Sequence, residues 1–138
     1  MDTVNTDFLG KCIATLELSY KLLKKSKKNS INYEIYRNSL VKAFEMTLEQ
    51  SGKLLKKILT PFFATKKEID KLTFKDLFRN ASKRGLLTKE EVERWFIYRD
   101  NRNNTAHDYG EAFAENTLSL IDGFIKDAKK IKKTIENA

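Results

Sequence analysis

The sequence predicts an all-α protein: an antiparallel up-down helical bundle of the four-helix-bundle type, with a short extra helix. Three observations predict it. Apolar residues recur at three- and four-residue steps through most of the 138 residues. Only five glycines and one proline punctuate them, and that scarcity favours long helices over many short strands. No strand-like alternation rivals the helical patterns. A chain of this length fits one domain, residues 1–138, with a single core.

Taken in order, Leu9, Cys12, Ile13, Leu16, Tyr20 and Leu23 mark one face of a first helix, from about Thr6 to Lys25. The polar stretch from Lys27 to Asn32 breaks it. Tyr33, Tyr36, Leu40, Phe44, Leu48, Leu55 and Leu59 then define a long second helix, Asn32 to Leu59, with Val41 and Ile58 alongside. Pro61 ends it, because a residue preceding proline is pushed out of the helical region. Gly52 interrupts the apolar face and marks a close crossing of another helix. Phe62 to Leu72 reads as a connection with a helical turn in Lys66–Lys71. Thr73, with Asp76 three residues on, caps a short third helix that buries Phe74, Leu77, Phe78 and Ala81. Gly85 is placed to end it in the left-handed conformation. Thr88-Lys89-Glu90-Glu91 is a capping box for a fourth helix carrying Val92, Trp95, Phe96 and Arg99. Asp108 and Glu111 cap the last helix, whose core side holds Ala112, Phe113, Leu120, Ile121, Phe124, Ile125, Ala128 and Ile131.

Composition narrows the function classes. With 41% hydrophobic and 33% charged residues, the chain reads as globular rather than disordered. No apolar run approaches the roughly 18 residues that span a bilayer. The N-terminus lacks a basic region followed by an apolar one, so no signal peptide is expected. Cys12 is the lone cysteine. It has no disulfide partner and no neighbouring metal-ligand residue, so it reads as a buried small hydrophobe in a cytoplasmic protein. The formal charge of +8 attracts polyanions, nucleic acid first and an acidic protein second. The lysine clusters 24–28 and 129–133 read as solvated faces or favourable helix ends.

The chemistry gathers in YRDNRNNTAHDYGE, residues 98–111, which holds the one histidine of the chain. If the fourth helix reaches Arg102, this arginine lies seven residues from Trp95, on nearly the same side and near the buried edge. His107 follows at or past the turn. A guanidinium offers a planar fork of donors to a phosphate. An imidazole, with an ordinary pKa of about 6.5, gives or takes a proton near neutral pH. Together they suit cleavage of RNA by its own 2′-hydroxyl. No carboxylate cluster or His/Cys set is present to hold a catalytic metal, and no cofactor is expected. Acid and base are two jobs for one histidine, and a two-fold homodimer supplies the second. On spacing alone, the alternative is a surface histidine in a hydrophilic turn.

Arg102-Asn103-x3-His107-x-Tyr109 resembles the Arg-x4-His-x-Tyr motif of the HEPN superfamily, specifically its HepT type, also called nucleotidyltransferase substrate-binding proteins. The segment AFEMTLEQSGKLLKKIL, Ala43 to Leu59, resembles that family's second helix, with Phe44, Glu45, Glu49 and Lys53 in register. Leu77 to Tyr109 resembles its longer Arg-x-Ala…Gly-Leu-Ile…Trp…Arg-Asn…His-x-Tyr run, with Arg79, Ala81, Gly85, Trp95 and Arg102. The resemblance implies a dimerising bundle whose motifs face one cleft. It implies a metal-independent ribonuclease, the toxin of a toxin–antitoxin pair whose partner is a minimal nucleotidyltransferase. It assigns Arg102 to the phosphate and its transition state, His107 to acid–base work and Tyr109 to AMP acceptance. Asn103 is expected to shape the RNA- or nucleotide-binding cleft with them. The alternative it leaves is an inert substrate-binding subunit that docks the nucleotidyltransferase and binds nucleotide.

Overall fold

The structure is a computed structural model that describes residues 4–105 and 111–138, with side chains over 4–103 and 115–138. Its elements are α1 (Asp7–Lys25), α2 (Ile31–Leu59), a 3-10 turn (Thr60–Phe62), α3 (Lys66–Asp70), α4 (Phe74–Lys83), α5 (Lys89–Thr105) and α6 (Glu111–Glu136). The predicted all-α bundle is observed. The four long helices α1, α2, α5 and α6 form it, and α3 and α4 lie in the crossover from α2 to α5.

Cross-helix contacts fix the directions. Asn101, Arg94 and Glu91 of α5 meet Thr117, Asp127 and Lys130 of α6 in that order. Rising numbers on one helix meet falling numbers on the other, so the two are antiparallel. Tyr20 and Glu17 of α1 meet Asp122 and Lys129 of α6 in the same sense. A tight turn at residues 26–30 reverses the chain between α1 and α2. Asn29 takes the left-handed conformation there, at φ 71°, which asparagine tolerates better than most side chains. The Ser30 hydroxyl accepts from the Tyr33 amide at 3.1 Å and caps α2.

The aromatic centre of the core comes from α2, α4, α5 and α6. Phe44, Phe78, Trp95 and Phe124 are fully buried, and their ring centroids lie 4.6 to 5.6 Å apart in the Phe44–Phe124, Phe78–Trp95 and Trp95–Phe124 pairs. Cys12 is buried and unbonded, as expected of a small hydrophobe, and desolvation raises its thiol pKa. Tyr33, Tyr36, Leu120 and Ile125 are only partly buried, at the rim of the core rather than inside it.

Both predicted capping boxes form. Thr73 and Asp76 exchange side-chain-to-amide bonds at 3.1 and 3.2 Å, and Thr88 and Glu91 do so at 3.1 and 2.9 Å. Gly85 sits at φ 76°. The Leu86 amide reaches back to the Ala81 carbonyl and the Gly85 amide to that of Ser82, both at 3.0 Å, which closes α4 in a Schellman motif. Gly52 does lie at a close crossing: a Cβ there would stand 2.9 Å from the Phe74 ring of α4.

Two expectations change in detail. α2 stops at Leu59 as predicted, but Thr60 keeps helical angles (φ −50°, ψ −43°) despite preceding Pro61. The missing proline amide is what ends the α-helix. The chain tightens instead, and the Phe63 amide donates to the Thr60 carbonyl at 3.1 Å. The connection after it is not only a linker, because Ile69 of α3 is 1% exposed and belongs to the core.

Candidate active site at the junction of α5 and α6

α5 is held from its first turn to Asn101, and that is what aims its last turn. At its start, buried Glu91 closes the capping box and its other oxygen stands 3.4 Å from Lys130 of α6. Midway, Arg94 donates through Nε and Nη2 to the two carboxylate oxygens of Asp127, both at 2.9 Å. The Tyr98 hydroxyl donates to the same carboxylate at 2.5 Å. Asp127 is 5% exposed, and this bidentate, charge-assisted set satisfies it. Burial and the hydrogen bond to Asp127 raise the Tyr98 phenol well above the ordinary tyrosine range. The same carboxylate makes Arg94 still harder to deprotonate. Gly123, one turn before Asp127, packs against the phenol: a Cβ there would lie 3.4 Å from its oxygen, in ordinary contact.

Toward its C-terminus, three consecutive residues tie α5 to three partners. The Arg99 guanidinium stands 5.0 Å from the Phe74 ring centre. Asp100 pairs with Lys75 of α4 at 2.7 Å. Asn101 donates to the fully buried hydroxyl of Thr117 on α6 at 3.0 Å. Arg102 comes next, partly buried, and Asn103 after it is exposed. The predicted reach of this helix to Arg102 is therefore observed. His107 and Tyr109 lie outside the described residues, as does Asp108 as a cap for α6. Of the four predicted site residues, the structure thus places Arg102 and Asn103, side by side in the last turns of α5.

An open groove of about 410 Å³ runs between α5 and α6, lined by Ile97, Asp100, Asn101, Asn116, Ser119 and Leu120, and neither Arg102 nor Asn103 lines it. Its lining mixes two amides, a hydroxyl and the Asp100 carboxylate with apolar surface, and Ile97 presents an exposed apolar side chain within it (53%). Among the described residues no group of three His, Cys, Asp or Glu side chains converges, and no helix is long and apolar enough to cross a membrane.

The Arg94–Asp127–Tyr98 set did not emerge from the sequence reading. The signal for it was present. Asp127 sits three residues after Phe124 and four before Ile131, so an acid interrupts the core stripe of α6. An acid in that position needs a buried donor, and Arg94 and Tyr98 are four apart on the facing helix.

Comparison with known proteins agrees with this architecture. Residues 9–137 match the family model for nucleotidyltransferase substrate binding protein like proteins. A Haemophilus influenzae protein named "Probable ribonuclease HepT" is 33% identical over 85 residues, spanning 62% of this chain and 57% of that relative. The chain thus spans little more than half the length of that relative in the match. A solved Haemophilus influenzae structure, described as revealing the fold of a substrate binding domain of a nucleotidyltransferase, superposes with a TM-score of 0.80 at 25% identity. It covers 95% of this chain and 98% of the other. A crystal structure of a Thermus thermophilus protein shares the fold, with a TM-score of 0.71 at 24% identity over 92% of this chain and 98% of the other. With nearly its whole length matched, and with the helix order and capping that its motifs imply, the chain belongs to the nucleotidyltransferase substrate binding protein family, the HepT type of the HEPN superfamily.

Proposed function

We propose that this protein is a metal-independent RNA endonuclease, the toxin of a toxin–antitoxin pair, working in the cytoplasm as a homodimer. The observation that carries the reading is the position of Arg102. It follows three residues that pin α5 to α4 and α6, so its guanidinium starts from a rigid base in the last turn of α5. Rigid placement is what electrostatic stabilisation of a phosphorane requires. The relative named a probable ribonuclease supports the same reading.

In this mechanism His107 of one protomer takes the proton of the RNA 2′-hydroxyl. The oxygen attacks the adjacent phosphorus, and Arg102 neutralises the charge that builds on the phosphate. His107 of the second protomer protonates the departing 5′-oxygen, leaving a 2′,3′-cyclic phosphate. Asn103 and Tyr109 orient the strand. Silencing follows from a minimal nucleotidyltransferase partner. The Tyr109 phenol oxygen attacks the α-phosphorus of ATP, pyrophosphate leaves, and the tyrosyl-AMP places bulk and negative charge where the RNA phosphate must sit.

A second reading, an inert subunit that docks the nucleotidyltransferase and binds nucleotide, draws support from the structural neighbour described as a substrate binding domain. End-labelled RNA incubated with purified protein and excess chelator separates the two. The nuclease reading expects cleavage to cyclic-phosphate ends, and a loss of about 100-fold or more in Arg102→Ala and in His107→Ala. Equal, background-level cleavage by wild type and both variants would leave the docking subunit.

A further inference from the structure

We propose that a second groove, between α1 and α6 and remote in sequence from the motif, receives an acidic amphipathic helix of a protein partner. The groove measures about 910 Å³. Its floor is aliphatic: Ala14 and Leu18 of α1 face Ile125 of α6. Leu18 is 57% exposed, among the most exposed large apolar side chains described.

The rim is cationic. Lys21 and Lys24 stand on the α1 side, Lys126 and Lys129 on the α6 side. Four ammoniums face two carboxylates, and both carboxylates are already engaged inside the groove. Glu17 holds Lys129 at 2.7 Å, and Asp122 accepts from the Tyr20 hydroxyl at 3.3 Å. Lys24 lies over the Tyr20 ring at 4.2 Å. Among the described residues Lys21 and Lys126 make no ion pair, so positive charge flanks an uncovered apolar strip on both sides.

That combination selects its occupant. The lining from Ala14 to Lys24 spans about 15 Å of helix axis, some three turns. A helix of similar length, with leucine-like residues at three- and four-residue steps and carboxylates beside them, fits both the strip and its rim. A nucleic acid fits it poorly. The lining contains no arginine, amide or Ser/Thr hydroxyl to read bases. Its one aromatic ring is covered by Lys24 and offers no free face for a base to stack on.

The test uses a designed three-turn peptide with a leucine stripe flanked by glutamates, titrated into ¹⁵N-labelled full-length protein. Amide shifts confined to residues 14–24 and 122–129 are expected. Affinity should weaken about tenfold in Leu18→Asn and in the double variant Lys21→Glu/Lys126→Glu, with helicity unchanged. Three results would overturn the proposal. A scrambled peptide of equal charge binds as well, which reduces the groove to nonspecific attraction. A single-stranded RNA shifts the same amides more tightly, which makes it a nucleic-acid surface. Leu18→Asn turns a dimer into a monomer, which seats a second copy there.

Discussion

Asp127 is an acid set in an apolar stripe, and the pairing of α5 with α6 converges on its carboxylate. Replacing it with alanine leaves the Tyr98 hydroxyl buried without an acceptor and frees Arg94. The loss is expected at about 2–3 kcal/mol, read from urea unfolding midpoints. Arg94→Ala should cost less, because the arginine side chain is half exposed and water compensates it. An Asp127→Ala effect inside the range of surface substitutions, about 0.5 kcal/mol, would remove the carboxylate from any role in the helix pairing. The same set makes a pH prediction. Tyr98 has its folded-state pKa raised above the ordinary value of 10.0. The native state therefore holds the phenolic proton more tightly than the unfolded chain does. Its contribution is whole below pH 10 and declines as pH rises beyond it, by up to about 1.4 kcal/mol per unit. Urea midpoints of wild type and Tyr98→Phe, compared from pH 8 to 11.5, should converge above pH 10. A constant difference across that range would contradict it.

α4 shows how a short helix is terminated by one residue. Gly85 holds φ 76°, and an added Cβ meets no atom within 4 Å. Gly85→Ala therefore tests backbone strain without a clash. It should cost about 1–2 kcal/mol in thermal or urea unfolding. Gly85→Asn should cost less, because asparagine enters the left-handed region more readily. Equal stability of all three would mean that the Schellman closure contributes nothing. Elements like this one were legible in the sequence because their determinants are local: a threonine and an acid three apart, a glycine after the last apolar position, a 3.6-residue stripe. Gly52 was legible for a related reason, since an absent side chain on an apolar face leaves space that another helix fills, here with Phe74. What depends on which faces meet was not legible. Ile69 looked like part of a linker and lies in the core. Asp127 found its donors only once α5 and α6 ran antiparallel in one register. Pro61 was read through its effect on the residue before it, yet Thr60 stays helical and the missing amide is what counts. In the site, spacing gave Arg102 its place in the last turn of α5. The expected convergence of Arg102 with His107 and Tyr109 rests on residues outside the described ones, and no spacing rule carries it.

At the scale of the whole molecule, the single histidine becomes a stoichiometric constraint. Strand cleavage needs a base and an acid in one cleft, so each productive cleft needs two intact chains if the homodimer reading holds. This makes activity a function of mixing. Wild-type and His107→Ala chains are co-refolded at varied ratios with total protein held fixed, and initial RNA cleavage rates are measured. If both imidazoles act at one phosphate, only wild-type pairs cut, and the rate follows the square of the wild-type fraction. An equal mixture then retains about a quarter of full activity. If each protomer acts alone, the rate follows the fraction itself, and the same mixture retains about half. The variant changes a side chain beyond the ties that hold α5, at residues 99 to 101, to α4 and α6, so it should enter dimers without bias. That is checked by exchanging a mass-tagged chain and measuring the heterodimer share. Random exchange with a linear activity curve would sink the shared cleft while leaving a ribonuclease in which one histidine serves both steps in turn. Random exchange with a quadratic curve would tie the basic charge, the single imidazole and the two-fold assembly to one reacting phosphate.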